Sequence, residues 1–159
     1  MSRGEGLLRD PVEADLNALL ARTRRTADLL EQLAGEAEPG LGTLFRELAA
    51  AHRARADELE TEVRQLGALP MDVDPDAETL EQALARLRAA VAGVTGHADR
   101  ARALDRLRAE EELGRLLDDA ASHELPARAR AALDRLRETV EAARTKLAEH
   151  AAKEEARGG

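Results

Sequence analysis

The sequence predicts an all-α protein: a bundle of four long helices with a fifth, shorter helix between the second and the fourth of the five in chain order. Three observations carry that reading. Hydrophobic residues make up 43% of the 159 and charged residues 35%, and both groups are dominated by Ala, Leu, Arg and Glu, which are strong helix formers. Apolar residues recur at three- and four-residue spacing through five segments, with no alternating stretch that would suggest a strand. Pro and Gly fall between these segments, where helices start and stop.

The first helix is expected to begin at Asp10 as N-cap, with Pro11 in the first helical position and Glu13 placed to complete a capping box. Its stripe is Leu16, Leu19, Leu20, Ala27, Leu30 and Ala34, with Thr23 inside it and Thr26 at its margin, and "EPG" at 38–40 is expected to stop it. The second helix is expected from about Thr43 to "LGALP", where Gly67 and Pro70 end it. A short loop between these two long helices makes them antiparallel neighbours.

The third helix starts after Asp74-Pro75 and carries an apolar stripe of Leu80, Leu84, Leu87, Val91 and Val94, closed by Gly93 and Gly96. The fourth, "HADRARALDRLRAEEELGRLLDDAASHELP", is expected to turn Ala103, Leu104, Leu107, Gly114, Leu117 and Ala121 inward, with Glu110 and Glu111 astride the centre of the stripe. The fifth starts at Pro126 and uses Ala129, Leu133, Leu136, Val140, Leu147 and Ala151. Residues 1–9 read as a disordered N-terminus, 10–151 as one helical domain and 152–159 as a frayed charged tail. A long crossover from the second helix to the fourth gives this bundle the ferritin-like topology; a plain up-down bundle of five helices is the competitor.

Charge and composition exclude several functions. A net charge of −8 with arginines interleaved among acids argues against a general phosphate-backbone binder, and one Phe with no Trp or Tyr offers no stacking platform. Without cysteine there is no thiol nucleophile, disulfide or thiolate metal site. No window reaches the apolar length of a membrane span, and the N-terminus lacks a signal-peptide core. The expectation is a cytoplasmic protein that binds neither nucleic acid nor membrane, with an unidentified protein partner or homo-oligomerisation through Ala/Leu helix faces.

Candidate chemistry lies with polar residues on inward stripes. At about 100° per residue, His52 falls among Phe45, Leu48, Leu59, Val63 and Leu66, while Glu47 and Glu58 lie on the flank. With the second and fourth helices parallel, Thr23, His52, Glu111 and Arg137 come within about two residues of one height. A mid-bundle polar layer of Thr23, His52, Glu110, Glu111, Arg137 and Arg144 follows, with Glu111 paired to arginine and helped by His52 and Thr23. His97, His123 and His150 lie near helix ends, where caps and solvent account for them.

The stretches "LNALLARTRRTADLLEQL", "LFRELAAAHRARADELETEVRQLG", "LRAAVAG", "RAEEELGRLLDDAASHELP" and "LDRLRETVEAARTK" resemble the bacterial ferritin-like four-helix-bundle family catalogued as domain of unknown function 2383. That resemblance implies a ferritin-like fold and no established activity. Ferritin-like metal enzymes take one Glu from each of two helices and Glu-x-x-His from each of the other two, and this chain has no Glu-x-x-His. The expectation is therefore a non-catalytic bundle with a degenerate metal site, no cofactor and a structural or stress-associated binding role. Two alternatives stand beside it. One is an iron- or manganese-dependent oxidase or iron-handling protein using Glu47, His52, Glu58, Glu110 and Glu111; the other is an adaptor that docks a partner helix.

Overall fold

A computed structural model describes residues 10–68, 75–94 and 96–158, and these form five α-helices with no strand among them. The helices are α1 (Pro11–Ala34), α2 (Pro39–Gln65), α3 (Pro75–Gly93), α4 (Ala98–Ala121) and α5 (Ala127–Gly158). The expectations for residues 1–9, Pro70 and Asp74 lie outside the described residues. Helix α1 starts as its sequence dictates, with the Asp10 carboxylate accepting the Val12 N–H at 3.0 Å. Helix α2 ends in a left-handed Gly67 at φ 82°, with the Ala68 N–H donating to Val63 O at 3.2 Å and the Gly67 N–H to Arg64 O at 3.0 Å. That double bond pattern satisfies carbonyls which a simple helix end would leave open.

Two boundaries differ from the sequence expectation. "EPG" does not stop α1, which already ends at Ala34; it starts α2, with Glu38 as N-cap and Pro39 in the first turn. Proline lacks the N–H that a helix start cannot use, so the same residue that breaks a helix interior suits its first position. Residues 152–158, expected as a charged tail, continue α5 as helix to Gly158, where Glu154 meets Arg157 at 3.4 Å and His150 at 3.6 Å.

Ion pairs fix the directions of the helices. Between α1 and α2, Arg24 meets Glu60 while Arg53 meets Asp28 and Glu31, so one number rises as the other falls. The same descending order joins α4 to α5 through Arg100–Glu155 and Arg137–Asp118. It joins α2 to α5 through Glu58–Arg135 and Glu62–Arg128. Between α1 and α4, Arg22 pairs with Glu112, and just beyond the end of α1 the N–H of Glu38, the N-cap of α2, bonds to Asp99 at 3.2 Å. Each of the four long helices is thus antiparallel to its two packed neighbours, and α2 runs parallel to α4 across the diagonal. The packed pairs are α1 with α2, α4 with α5, α2 with α5 and α1 with α4, and α3 lies outside against α4 and the edge of α1.

The core consists of two apolar clusters. One gathers Leu16, Leu19, Leu20, Leu59, Val63, Leu113, Leu117, Leu133 and Leu136. The other gathers Leu29, Leu30, Leu33, Leu41, Phe45, Leu48, Ala103 and Leu147. On α1, α2 and α4 the residues between the two sets include Thr23, His52 and Glu110, all fully buried.

Helices α4 and α3 turn differently from expectation. The buried line of α4 is Asp99, Ala103, Arg106, Glu110, Leu113, Leu117 and Ala120, while Leu104, Leu107, Gly114 and Ala121 are only half-buried. Ionic partners for the three charged positions make this rotation tolerable, whereas apolar counting favours the neighbouring line. On α3 the stripe Leu80, Leu84, Leu87, Val91 and Val94 faces solvent, and Ala85 and Ala89 are buried instead. Ion pairs supply the rest of the attachment: Arg25 to Glu81 at 2.9 Å, Arg86 to Glu36 at 2.6 Å, and Arg88 to Asp105.

The α1–α2 corner is closely packed at one glycine. A Cβ on Gly42 would stand 2.8 Å from the Ala34 carbonyl oxygen, whereas one on Gly40 would meet nothing within 4 Å. Gly42→Ala should therefore cost about 1 to 3 kcal/mol by prying the corner open. Gly40→Ala should be neutral or stabilise by up to about 1 kcal/mol through helix propensity. Urea denaturation of the two variants tests this; equal midpoints would refute the close-approach account.

Candidate functional site

His52 reaches the middle of the core because α2 places it on the line of Leu41, Phe45, Leu48, Leu59 and Val63. Opposite it, across the diagonal of the bundle, α4 presents Glu110; both side chains have 0% exposure. The His52 Nδ1 lies 2.7 Å from the Leu48 carbonyl oxygen, one turn back on its own helix. Its Nε2 lies 2.8 Å from Oε1 and 3.0 Å from Oε2 of Glu110, with the hydrogen bond directed at Oε2.

These contacts fix the protonation chemistry. A carbonyl oxygen only accepts, so Nδ1 carries a hydrogen. One further proton lies between Nε2 and the carboxyl group, giving imidazolium with carboxylate or neutral imidazole with carboxylic acid. Burial pushes the ring toward its neutral form, but the Glu110 carboxylate and the Leu48 carbonyl outweigh it, and the pKa of His52 is raised above the ordinary 6.5. The ion pair is the form these surroundings favour. Thr23 does not join it: its Oγ1 donates to Leu19 O at 2.7 Å, within α1.

The remaining predicted site residues lie elsewhere. Glu111 is half-buried beside the outer surface, not in the layer, and among the described residues it pairs with no arginine; its neighbour Glu110 takes the inward position. The offset follows from the rotation of α4, since one residue is about 100°. Arg137 turns to Asp118 at 2.9 Å, and Arg144 is exposed. Both stand on the shoulder of α5, where a guanidinium keeps its hydration. Glu47 is exposed, and Glu58 is held by Arg55 at 3.1 Å and Arg135 at 2.9 Å. Of the alternative metal set, only His52 and Glu110 meet.

That arrangement does not fit an iron or manganese centre. Among the described residues no three His, Cys, Asp or Glu side chains converge as ligands. Neither ring nitrogen presents a lone pair to open space, because Nδ1 donates and Nε2 is closed off by the carboxyl group. The other histidines lie peripherally: His123 bonds to Asp15 at 2.6 Å, and His97 is the N-cap residue of α4, where its side chain makes no capping hydrogen bond.

Sequence reasoning missed the buried Arg106. Only 2% exposed, it donates to Asp105 at 2.8 Å and to Glu81 at 3.2 Å. Glu81 also binds Arg25, and Asp105 binds Arg88, so five charged side chains tie α1, α3 and α4 together. They line a cleft of about 770 Å³ between those helices. The signal lay in the spacing: Ala103, Arg106, Glu110, Leu113, Leu117 and Ala120 follow a regular three-four alternation once the charged residues are counted with the apolar ones.

No protein-family model, curated protein or solved structure matches the chain. Among the described residues no helix is long and apolar enough to cross a membrane.

A raised folded-state pKa makes the stabilisation from His52 fully present below the ordinary value of 6.5 and progressively lost as pH climbs through the folded value. Urea midpoints of the native chain should accordingly fall as pH rises above 6.5. Glu110→Leu alone, which strands a buried histidine, should cost about 3 to 5 kcal/mol, whereas His52→Leu combined with Glu110→Leu should be neutral or stabilising. The double variant should also lose this decline; a decline that persists would assign it to other groups.

Proposed function

We propose that this chain is a non-catalytic helical bundle of ferritin-like connectivity, in which a closed His52–Glu110 pair occupies the place of a metal centre and any binding takes place at the outer surface. The observation that carries this reading is the saturation of His52: both ring nitrogens have partners inside a fully buried layer. Support for the connectivity comes from the ladder of ion pairs, which makes α2 parallel to α4 as a long crossover requires. The resemblance to the ferritin-like family of unknown function suggests a structural or stress-associated binding role. It supplies no activity to transfer.

Exposure of the apolar stripe on α3 favours a second reading within the same frame, an adaptor that docks a partner helix. Both readings place function on the surface. The oxidase alternative would need Glu47, Glu58 and Glu111 to leave their present positions and converge on His52.

Elemental analysis of the purified full chain, followed by titration with iron(II) and manganese(II), tests the proposal. Neither metal should be retained near stoichiometry, and neither should shift the melting temperature. Near-stoichiometric metal that is lost in Glu110→Ala would overturn it.

A further inference from the structure

The feature left unexplained by a sealed core is the outward face of α3. Leu80, Leu84, Leu87, Val91 and Val94 are 40 to 87% exposed. At about 100° per residue they lie within about 80° of one another, and the buried Ala85 and Ala89 fall on the opposite side. The helix therefore shows the bundle its alanines and turns its large aliphatic residues away from it. Monomeric proteins rarely leave a contiguous apolar patch of this kind in water.

The spacing of the stripe is four, three, four, three, which keeps a seam straight along a supercoiled helix pair. We propose that the occupant of this seam is the α3 helix of a second copy of the chain, paired antiparallel about a two-fold axis.

Three observations favour a second copy in that orientation. First, the run from Leu80 to Val91 has the palindromic spacing four, three, four. Reversed on itself it sets Leu84 against the second copy's Leu87 and Leu80 against its Val91, so every layer is apolar and the contact is self-complementary. Second, the flanks agree in charge and size. On one flank Glu81 comes beside Arg88 of the second copy, opposite charges that would add to the pairs each already makes in its own chain, and the small, exposed Ala83 and Ala90 adjoin each other on the second, where they let the helices approach. A parallel pairing in register would instead set Asp76 beside Glu81 and bring like charges together. Third, the area suffices: two such stripes pressed together bury on the order of 1,000 Å², the lower bound of a specific interface.

This inference goes beyond the reading of the core and does not depend on it, since its readout is mass rather than metal. Sedimentation equilibrium of the full chain across the micromolar to sub-millimolar range should show a weight-average mass rising toward twice that of one chain. Leu87→Glu, at an exposed position, should hold the mass at one chain with unchanged helicity and unchanged melting at low concentration. The native chain has no cysteine, so orientation can be read by cross-linking. An oxidised mixture of Ala83→Cys and Ala90→Cys chains should give the mixed disulfide in preference to either self-linked dimer. A native mass of one chain throughout, a dimer indifferent to Leu87→Glu, or preferential self-linking would each overturn the proposal. So would a monomer that instead binds phosphatidylcholine–phosphatidylglycerol vesicles through the same residues.

Discussion

The organisation of the bundle turns on a single constraint: a histidine and a glutamate, both without access to water, meet across the diagonal of four packed helices. Each of these groups would be costly to bury alone, and together they are acceptable only in tight, directed contact. That requirement ties the axial position of α2 to that of α4, two helices that are not neighbours in the ring. Apolar packing above and below the pair is tolerant of small slides, because leucines interdigitate in more than one register. The pair is not tolerant, since a slide of one turn would strand both groups in hydrocarbon.

A metal centre in such a bundle meets the same constraint in a different way. Cations draw carboxylates and imidazoles inward from all four helices and satisfy them jointly. Here a proton does the corresponding work between one acid and one base, and two residues are enough. Because the second ring nitrogen is spent on a backbone carbonyl, the histidine is oriented from behind as a ligand would be, yet no coordination position faces a void.

Much of the fold was legible in the sequence, and the failures are instructive. The core faces of α1, α2 and α5 follow from leucine spacing alone, and His52 was placed correctly because apolar residues surround it on the helical wheel. The face of α4 is offset by a fraction of a turn from the apolar count, because Asp99 and Arg106 occupy core positions that a hydrophobic count passes over. With that offset both Glu110 and Glu111 read as inward, and the ionic pairing falls to Glu111 and an arginine where the structure gives it to Glu110 and His52. The start of α2 was missed because Pro39 reads equally as a stop and as a first-turn residue. The outward stripe of α3 lay beyond periodicity in principle: spacing identifies an apolar face but does not say which surface covers it.

The attachment of α3 has a further meaning. Its alanine face contributes little buried area, and its hold on the bundle depends on Arg25, Arg86 and Arg88 reaching acids on the other side of each contact. Interactions of that kind between partly exposed groups weaken with ionic strength, whereas contact between leucine stripes does not. Dissolved salt therefore acts unequally on the two faces of one helix, weakening the exposed Arg86 and Arg88 part of its grip on the bundle while the buried Arg106 contact and any contact made by the outward aliphatic side chains are spared.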